Sequence, residues 1–272
     1  MFDAQEERMR PSPVIIITGA SSGIGEATAR LFGRAGYRVV MAARRAERLQ
    51  AVAEDLRAQG GEALPLPTDV SKLSEIHQLV STTLEVYGQI DVLFNNAGLG
   101  RLDWLEALDP VDDILAQIEV NLLGVIYMTQ AVLPHMIQRR SGHIINMSSV
   151  AGFIATPTYS IYAASKFGVR GFTEALRREV GIYNIRVSGI YPGGTETEFA
   201  GRARIQRKTR QTTPAALRLS SEEVAKAVFR LNRQPRRTLI QPWPMILAIW
   251  ANRLLPGLMD RVIQGRFVEK ER

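Results

Sequence analysis

The chain has 272 residues, enough for one large domain or two small ones, and its composition (46% hydrophobic, 22% charged) is ordinary for a globular protein, which excludes a disordered or fibrous chain. It has no cysteine, which excludes a disulfide framework, a thiolate metal site and a cysteine nucleophile; His77, His135 and His143 stand at no metal-ligand spacing, so no metal is expected. The net charge of +7 is unevenly placed: from Thr195 onward 16 Lys and Arg face 7 Asp and Glu, whereas the first 194 residues hold 18 against 20.

Residues 1–12 are polar, mixed in charge and without the apolar run of a secretory signal, which with the missing cysteines favours a reducing, cytoplasmic setting. Val14-Ile15-Ile16-Ile17 is a β-branched run that reads as a strand buried on both faces. A Gly/Ser turn from Gly19 to Gly25 leads into a helix over 26–35. A strand over 38–43, a helix over 46–59, a strand over 63–67 and a helix over 73–87 follow. A strand over 91–94, a long helix over 112–138, a strand over 143–147, a helix over 162–183 and a strand over 185–190 continue the pattern. Strands alternating with helices of this length predict an α/β fold. The sheet should be doubly wound, mostly parallel and Rossmann-type, a single domain with helices on both faces.

After Pro192 the character changes. Residues 195–218 are basic, polar and weakly periodic, and are expected to be mobile. Residues 220–232 read as a helix capped near Ser221, with Glu222 and Glu223 in its first turn where the macrodipole favours acids. The stretch 239–259 is the most apolar, but Pro244, Arg253 and Pro256 interrupt it, well short of the roughly 20 apolar residues of a spanning helix. The expected division is a polar segment 1–12, a Rossmann-type domain 13–238 containing the mobile segment 195–218, and an extension 239–272. Trp243, Met245, Ile246, Leu247, Ile249, Trp250, Leu254 and Leu255 give the extension too much apolar surface for a solvated tail. The favoured expectation is packing over the pocket or a subunit partner. The second is peripheral membrane contact through 243–259, flanked by Arg236, Arg237, Arg253 and Arg261.

Three groups of residues carry chemistry. Gly19, Ser21, Ser22, Gly23, Ile24 and Gly25 lie between the first strand and the first helix, where glycines let the backbone turn tightly around a pyrophosphate at a helix N-terminus. The second strand ends in Arg44 and Arg45 with no acid, which favours a ribose 2′-phosphate over a free 2′-hydroxyl and hence NADP(H) over NAD(H). Tyr162 and Lys166 are four apart, on one helix face. A phenol acting as acid/base at neutral pH needs its pKa lowered by roughly 3 units, about 4 kcal/mol. An ammonium ~5 Å away at an effective dielectric of ~20 supplies about 3 kcal/mol, so lysine should nearly suffice.

In combination these motifs resemble the short-chain dehydrogenase/reductase family. The matches run in order from Thr18-Gly19 through Thr68-Asp69-Val70, Asn95-Asn96-Ala97-Gly98, Asn121 in VNLLG and Ser149 in INMSSVAG, then Tyr162/Lys166 and Pro192-Gly193 with Thr197. The resemblance implies that Tyr162 is the acid/base on the substrate oxygen and that Ser149 hydrogen-bonds that oxygen, with Ser148 behind it. It implies that Lys166 holds the nicotinamide ribose and that Asn121 kinks its helix and holds a water. Asp69 and Val70 would contact adenine, Asn95 would sit along the adenosine ribose, and Ala97 and Gly98 would bind the cofactor. Gly193 and Thr195 would face the nicotinamide, Thr197 its carboxamide or phosphate, and Pro192 would bind the cofactor beside them. Tyr159 has Ala163 four residues on and is not the tyrosine of the pair. The family's usual closing strand and glycine-rich end is replaced by 236–244 and an apolar helix, so a homo-oligomer is expected, a dimer in preference to the tetramer.

These readings converge on an NADP(H)-dependent enzyme interconverting a carbonyl and a secondary alcohol on an apolar small molecule. The substrate walls are expected from residues 150–158, Tyr191 and the 195–218 segment, with Phe153, Ile154, Pro157, Tyr191 and Phe199 making them mainly apolar. The alternatives are a β-ketoacyl carrier-protein reductase and a non-catalytic NADP-binding interaction protein. Nucleic acid is excluded as a partner, because the basic tail lacks aromatic interleaving before Trp243 and no nucleic-acid module is present.

Overall fold

The computed structural model describes residues 11–196, 198–199, 203 and 217–268. The expected segments 1–12 and 195–218 therefore lie largely outside the described residues, as does Thr197. The strands are β1 Val14–Thr18, β2 Arg38–Ala43, β3 Glu62–Pro67, β4 Val92–Asn95, β5 Gly142–Met147, β6 Ile185–Pro192, β7 Thr195–Glu196, β8 Leu219–Ser220 and β9 Thr238–Gln241. The helices are α1 Gly23–Arg34, α2 Ala46–Ala58, α3 Leu73–Tyr87, α4 Pro110–Arg139, α5 Ser160–Val180, α6 Ser221–Arg233, α7 Met245–Leu254 and α8 Pro256–Ile263.

Seven strands form one parallel sheet in the order β3-β2-β1-β4-β5-β6-β9; β7 and β8 pair separately. Every residue of β1 is buried, because its side chains alternate into two cores. Ile15 and Ile17 enter one core with Phe32 of α1, Leu49 and Leu56 of α2, and Val224, Val228 and Leu231 of α6. Val14 and Ile16 enter the other, with Ile76 and Leu79 of α3, Met128, Val132 and Met136 of α4, and Leu176 and Val180 of α5. A strand covered on both faces has no polar side, which is why the sequence shows an unbroken apolar run. Each crossover leaves a strand's C-terminal end and returns along one of the two helical layers, so the loops at those ends collect on one edge of the sheet.

The expected elements all form, with ends shifted by a few residues. Helix α4 is long and apolar enough to span a bilayer, yet it is a core helix, packed on α3 and carrying Met128, Val132 and Met136 into the interior. Two features differ from expectation. The helix cap is Ser220, not Ser221: its hydroxyl accepts from the Glu223 amide at 3.1 Å while the Glu223 carboxylate accepts from the Ser220 amide at 2.7 Å, a reciprocal capping box. The sheet also runs past residue 238, because Thr238–Gln241 pairs with Gly189–Pro192 as the edge strand β9. Leu239 packs on the first core, and Pro242, which cannot donate to a ladder, lies just beyond the strand's end.

Helix α6 packs closely on α1, so its cap bears on the whole first core. Ser220→Ala should cost about 1 kcal/mol and lower the melting temperature by roughly 2–4 °C with the circular dichroism spectrum unchanged. An unchanged melting curve would show that the capping box contributes nothing to stability.

Candidate active site

At the C-terminal ends of the strands, where the strand order reverses between β1 and β4, lies a cleft of about 660 Å³. Its floor is the turn between β1 and α1. Gly19 has φ +67°, and a Cβ on it would stand 2.9 Å from the Ala97 Cα. A Cβ on Gly25 would stand 2.2 Å from the Gly19 carbonyl oxygen, so only glycine lets α1 start this close beneath the turn. The turn is held from across the switch point. Thr18 Oγ1 accepts from the amides of Asn96 and Ala97 at 2.9 and 3.0 Å, and Asn96 Nδ2 donates to the Thr18 carbonyl at 2.9 Å.

One end of the cleft is basic. Arg45 Nη2 donates to Ser22 Oγ at 2.7 Å, and Arg44, largely exposed, lies 3.9 Å from the Asp69 carboxylate. Val70, Thr68, Ala42 and Ala43 complete that wall. At the other end stand Ser149, Tyr162 and Lys166. Ser149 lies at the end of β5; its hydroxyl accepts from the Ala151 amide at 3.1 Å and hydrogen-bonds the Tyr162 phenol. Lys166, one turn along α5 from Tyr162, is buried; its ammonium donates to the Met147 carbonyl at 3.2 Å and sits 5.6 Å from the centre of the Tyr162 ring. Ser148 is buried behind, donating to the Lys166 carbonyl at 3.0 Å. Asn121 lies within a π-helical turn, Glu119–Leu123, that interrupts α4. Its side chain accepts from the Leu99 amide at 2.7 Å and donates to the Leu99 carbonyl at 2.8 Å, fixing the loop after β4.

The electrostatics differ from the sequence arithmetic. Burial pushes the Tyr162 phenol well above its ordinary range; the Ser149 hydrogen bond lowers it and Tyr159 raises it. Lysine does not offset this. Lys166 is itself desolvated, which brings its pKa down to about 8, and one of its three N–H donors goes to the Met147 carbonyl.

The cleft walls include Gly19, Ser21, Ser22, Gly23, Ile24, Arg44, Arg45, Asp69, Val70, Ala97, Gly98, Ser149, Tyr162, Lys166, Pro192, Gly193 and Thr195, all expected there. Gly25 and Asn121 lie behind the walls as supports. Asn95 is misplaced by the sequence reading: it closes β4 with its side chain turned into the interior, donating to Thr129 Oγ1 and Asn146 Oδ1. Its neighbour Asn96 lines the cleft instead. Phe153 and Tyr191 pack on each other at 4.8 Å away from the cleft, and Pro157 is likewise outside it. Ile154, Thr156, Tyr159, Phe199 and Met245 supply the apolar wall. Glu198 comes from the expected 195–218 segment; Met245 was not expected and is brought there by β9, whose Gln241 carbonyl accepts from the Gly193 amide at 2.6 Å.

The family model for the short chain dehydrogenases matches residues 13–208. The chain belongs to that family. A Drosophila melanogaster "Dehydrogenase/reductase SDR family protein 7-like" is 37% identical over 99% of this chain and 85% of its own length. Among solved structures, a short-chain dehydrogenase from Sphingobium yanoikuyae in complex with NADPH aligns with a TM-score of 0.77 at 30% identity, over 91% of this chain and 95% of that one. A 3-ketoacyl-(acyl-carrier-protein) reductase from Brucella melitensis complexed with NADH aligns with a TM-score of 0.77 at 29% identity, over 84% and 96%. As a short-chain dehydrogenase the chain is an oxidoreductase of CH–OH and C=O groups on small molecules, working with a nicotinamide cofactor. The cleft fits such a cofactor: the glycine turn forms its wall at the start of α1, and the Arg45–Ser22 pair offers anion donors at one end.

The buried ammonium makes stability depend on pH. Lys166 titrates near 8 when folded against an ordinary value of 10.5, so between those pH values the unfolded chain binds more protons and stability rises with pH. Below pH 8 the whole cost of burying the charge is present. Lys166→Met should therefore be more stable than wild type at pH 7, by roughly 3 kcal/mol, with the gain vanishing toward pH 10.5. Urea unfolding of both proteins from pH 7 to 10 measures this; a pH-independent difference would refute it.

Proposed function

We propose that the chain is an NADP(H)-dependent reductase/dehydrogenase interconverting a carbonyl and a secondary alcohol on an apolar small molecule. The observation that carries this reading is the convergence of Ser149, Tyr162 and Lys166 on one end of a cleft whose other end presents Arg45 and Ser22. The cofactor supplies or accepts hydride. The chain's residues bind, orient and move the proton. Ser149 and the Tyr162 hydroxyl share a hydrogen bond, so a substrate oxygen entering between them receives one donor from each. In reduction Tyr162 delivers its proton to that oxygen; a phenol held protonated by burial is suited to this direction. In oxidation it must accept the proton, and Lys166, together with positive charge arriving in the cleft, is the group able to bring the phenol down. Lys166 also holds the nicotinamide ribose, and the π-helical turn at Asn121 keeps the loop after β4 open at its side. The glycines from Gly19 to Gly23 hold the pyrophosphate, Asp69 and Val70 the adenine, Ala97 and Gly98 the adenosine ribose, and Pro192, Gly193, Thr195 and Thr197 the nicotinamide. Arg44 and Arg45 take the 2′-phosphate, with Arg45 favoured because Ser22 already orients it.

A β-ketoacyl carrier-protein reductase is the second reading, favoured by the likeness to the Brucella melitensis enzyme. NADPH and NADH oxidation against a panel of ketones, aldehydes and a β-ketoacyl thioester separates the two. Catalytic efficiency should be at least tenfold higher with NADPH, since charge-assisted contacts to the phosphate contribute roughly 1.5–3 kcal/mol, and Arg45→Asp should abolish or invert the preference. Tyr162→Phe should reduce turnover below a few per cent while NADPH still binds. Equal efficiency with both cofactors, or an active Tyr162→Phe, refutes the corresponding assignment.

The partner reading is a homodimer in the cytoplasm that meets membranes peripherally through 243–259. No residue of α7 is buried; Trp243, Leu247, Trp250 and Leu254 are 69%, 63%, 52% and 68% exposed, so packing within the chain leaves this apolar stripe uncovered. Arg253 lies 5.8 Å over the Trp250 ring, and Asp260 is the only acid between residues 234 and 265. An acid-free, arginine-edged stripe with two tryptophans complements an anionic headgroup layer. The protein should co-sediment with anionic vesicles at low salt and release at high salt; protein that stays in the supernatant throughout assigns the stripe to a subunit contact.

A further inference from the structure

Glu198 stands in the wall of the cleft, beside the glycine turn. Its carboxylate accepts from Arg45 Nη1 at 3.1 Å and from Arg48 Nη1, while Arg45 Nη2 donates to Ser22 Oγ at 2.7 Å. Burial would raise the Glu198 pKa, but the hydrogen bonds and charges of the two arginines outweigh it, so the carboxylate is ionised at neutral pH. An anion bridged by two guanidiniums next to a hydroxyl is the arrangement a phosphate monoester would require. The next residue, Phe199, reaches the opposite end of the cleft. Its ring lies 5.7 Å from that of Tyr162 and fills the space over Gly100, where a Cβ would meet the Phe199 ring at 2.6 Å. Two consecutive residues thus touch the basic end and the tyrosine end at once.

We propose that Glu198 occupies the 2′-phosphate position while the cleft is free of cofactor, that the 2′-phosphate displaces it onto solvent and takes over Arg45 and Arg48, and that this displacement draws Phe199 off the Tyr162 ring. The inference rests on the NADP(H) reading above and adds to it a competitor and a third cation, Arg48. Two anions cannot share the arginines, so the affinity for any 2′-phosphate is reduced by the fraction of molecules in which Glu198 holds them. A ligand without that phosphate has nothing to displace, leaving Phe199 over the tyrosine. The basic end would then govern access to the acid/base.

The test uses the full-length protein and two probes that lack a nicotinamide, adenosine 2′,5′-bisphosphate and 5′-AMP, titrated by calorimetry. Wild type should bind the bisphosphate more tightly. Glu198→Gln should tighten it a further five- to tenfold, the factor expected if the bridged state holds about 80–90% of molecules, and should change 5′-AMP less than twofold. Glu198→Ala carries the same expectation should the glutamine fold poorly. Glu196→Gln removes an acid that is two residues away, paired with Arg218 and outside the cleft wall, and should have no effect. In Phe199→Trp the indole emission should shift on adding the bisphosphate and not on adding 5′-AMP. Equal binding of the two probes by wild type would refute the NADP(H) reading itself. Preference in the wild type with no gain in either Glu198 variant, or an equal gain in Glu196→Gln, would overturn the proposal and leave that reading standing. An indole that responds to neither probe would remove the link to Tyr162.

Discussion

The cleft depends on a clamp of a few hydrogen bonds across the sheet's switch point. Strands β1 and β4 are adjacent and parallel, and their crossovers leave in opposite directions, so a gap opens above them. Thr18 Oγ1, with the Asn96 and Ala97 amides and the Asn96 side chain, ties the two strand ends together below that gap. Gly19 and Gly25 then bring the turn and the start of α1 to within contact of the same point. A larger residue at either would move the helix N-terminus, whose free amides are the reason an anion settles there. The two apolar cores supply the free energy of the fold; the clamp decides where that fold leaves a usable space.

The second organising feature is the burial of charge and polarity at the tyrosine end. Lys166, Ser148 and Asn121 are nearly inaccessible and are bound mainly to backbone: the Met147, Lys166 and Leu99 carbonyls and the Leu99 amide. Such bonds fix position without spending a second side chain on each group. Burying the ammonium carries a desolvation cost at neutral pH, the usual relation between a buried charge and a functional cleft. Beneath it, Asn95, Thr129, Asn146 and Thr173 form a buried polar chain joining β4, α4, β5 and α5, so the strands that carry the cleft wall are tied to the helices behind them.

The fold was legible because strands covered on both faces betray themselves as β-branched runs, and helices between them as glycine-closed periodic stretches. Strand β9 was not, since four residues between two arginines and Pro242 have too little pattern, and only the partner strand β6 makes them a strand. Most cleft residues were legible through local motifs. Asn95 failed because β4 ends there: a period of two sends its side chain inward, and the cleft begins one residue later. The apolar wall was only half legible, because Phe153 and Tyr191 satisfy one another and leave Ile154, Thr156 and Tyr159 to face the cavity. Glu198 had no local signal, its arginines being distant in sequence. The rise of the tyrosine's pKa was not legible, because the burial that causes it is a property of the packed structure.

The strand order has a consequence for how the chain comes to be folded. Counting outward from β1, the sheet grows to one side by β2 and then β3, and to the other by β4, β5, β6 and β9. Every strand is therefore added to an existing edge in the order of synthesis, and none has to be inserted between two others. The cost falls on β1. Its second edge pairs with β4, and until Val92–Phe94 has left the ribosome the uncharged run Val14–Thr18 presents an open row of backbone groups on a flat, apolar strand. Nascent chains halted between β3 and β4 should be the most adhesive species this sequence ever forms, and conditions that slow synthesis there should lower soluble yield without altering the stability of the finished protein.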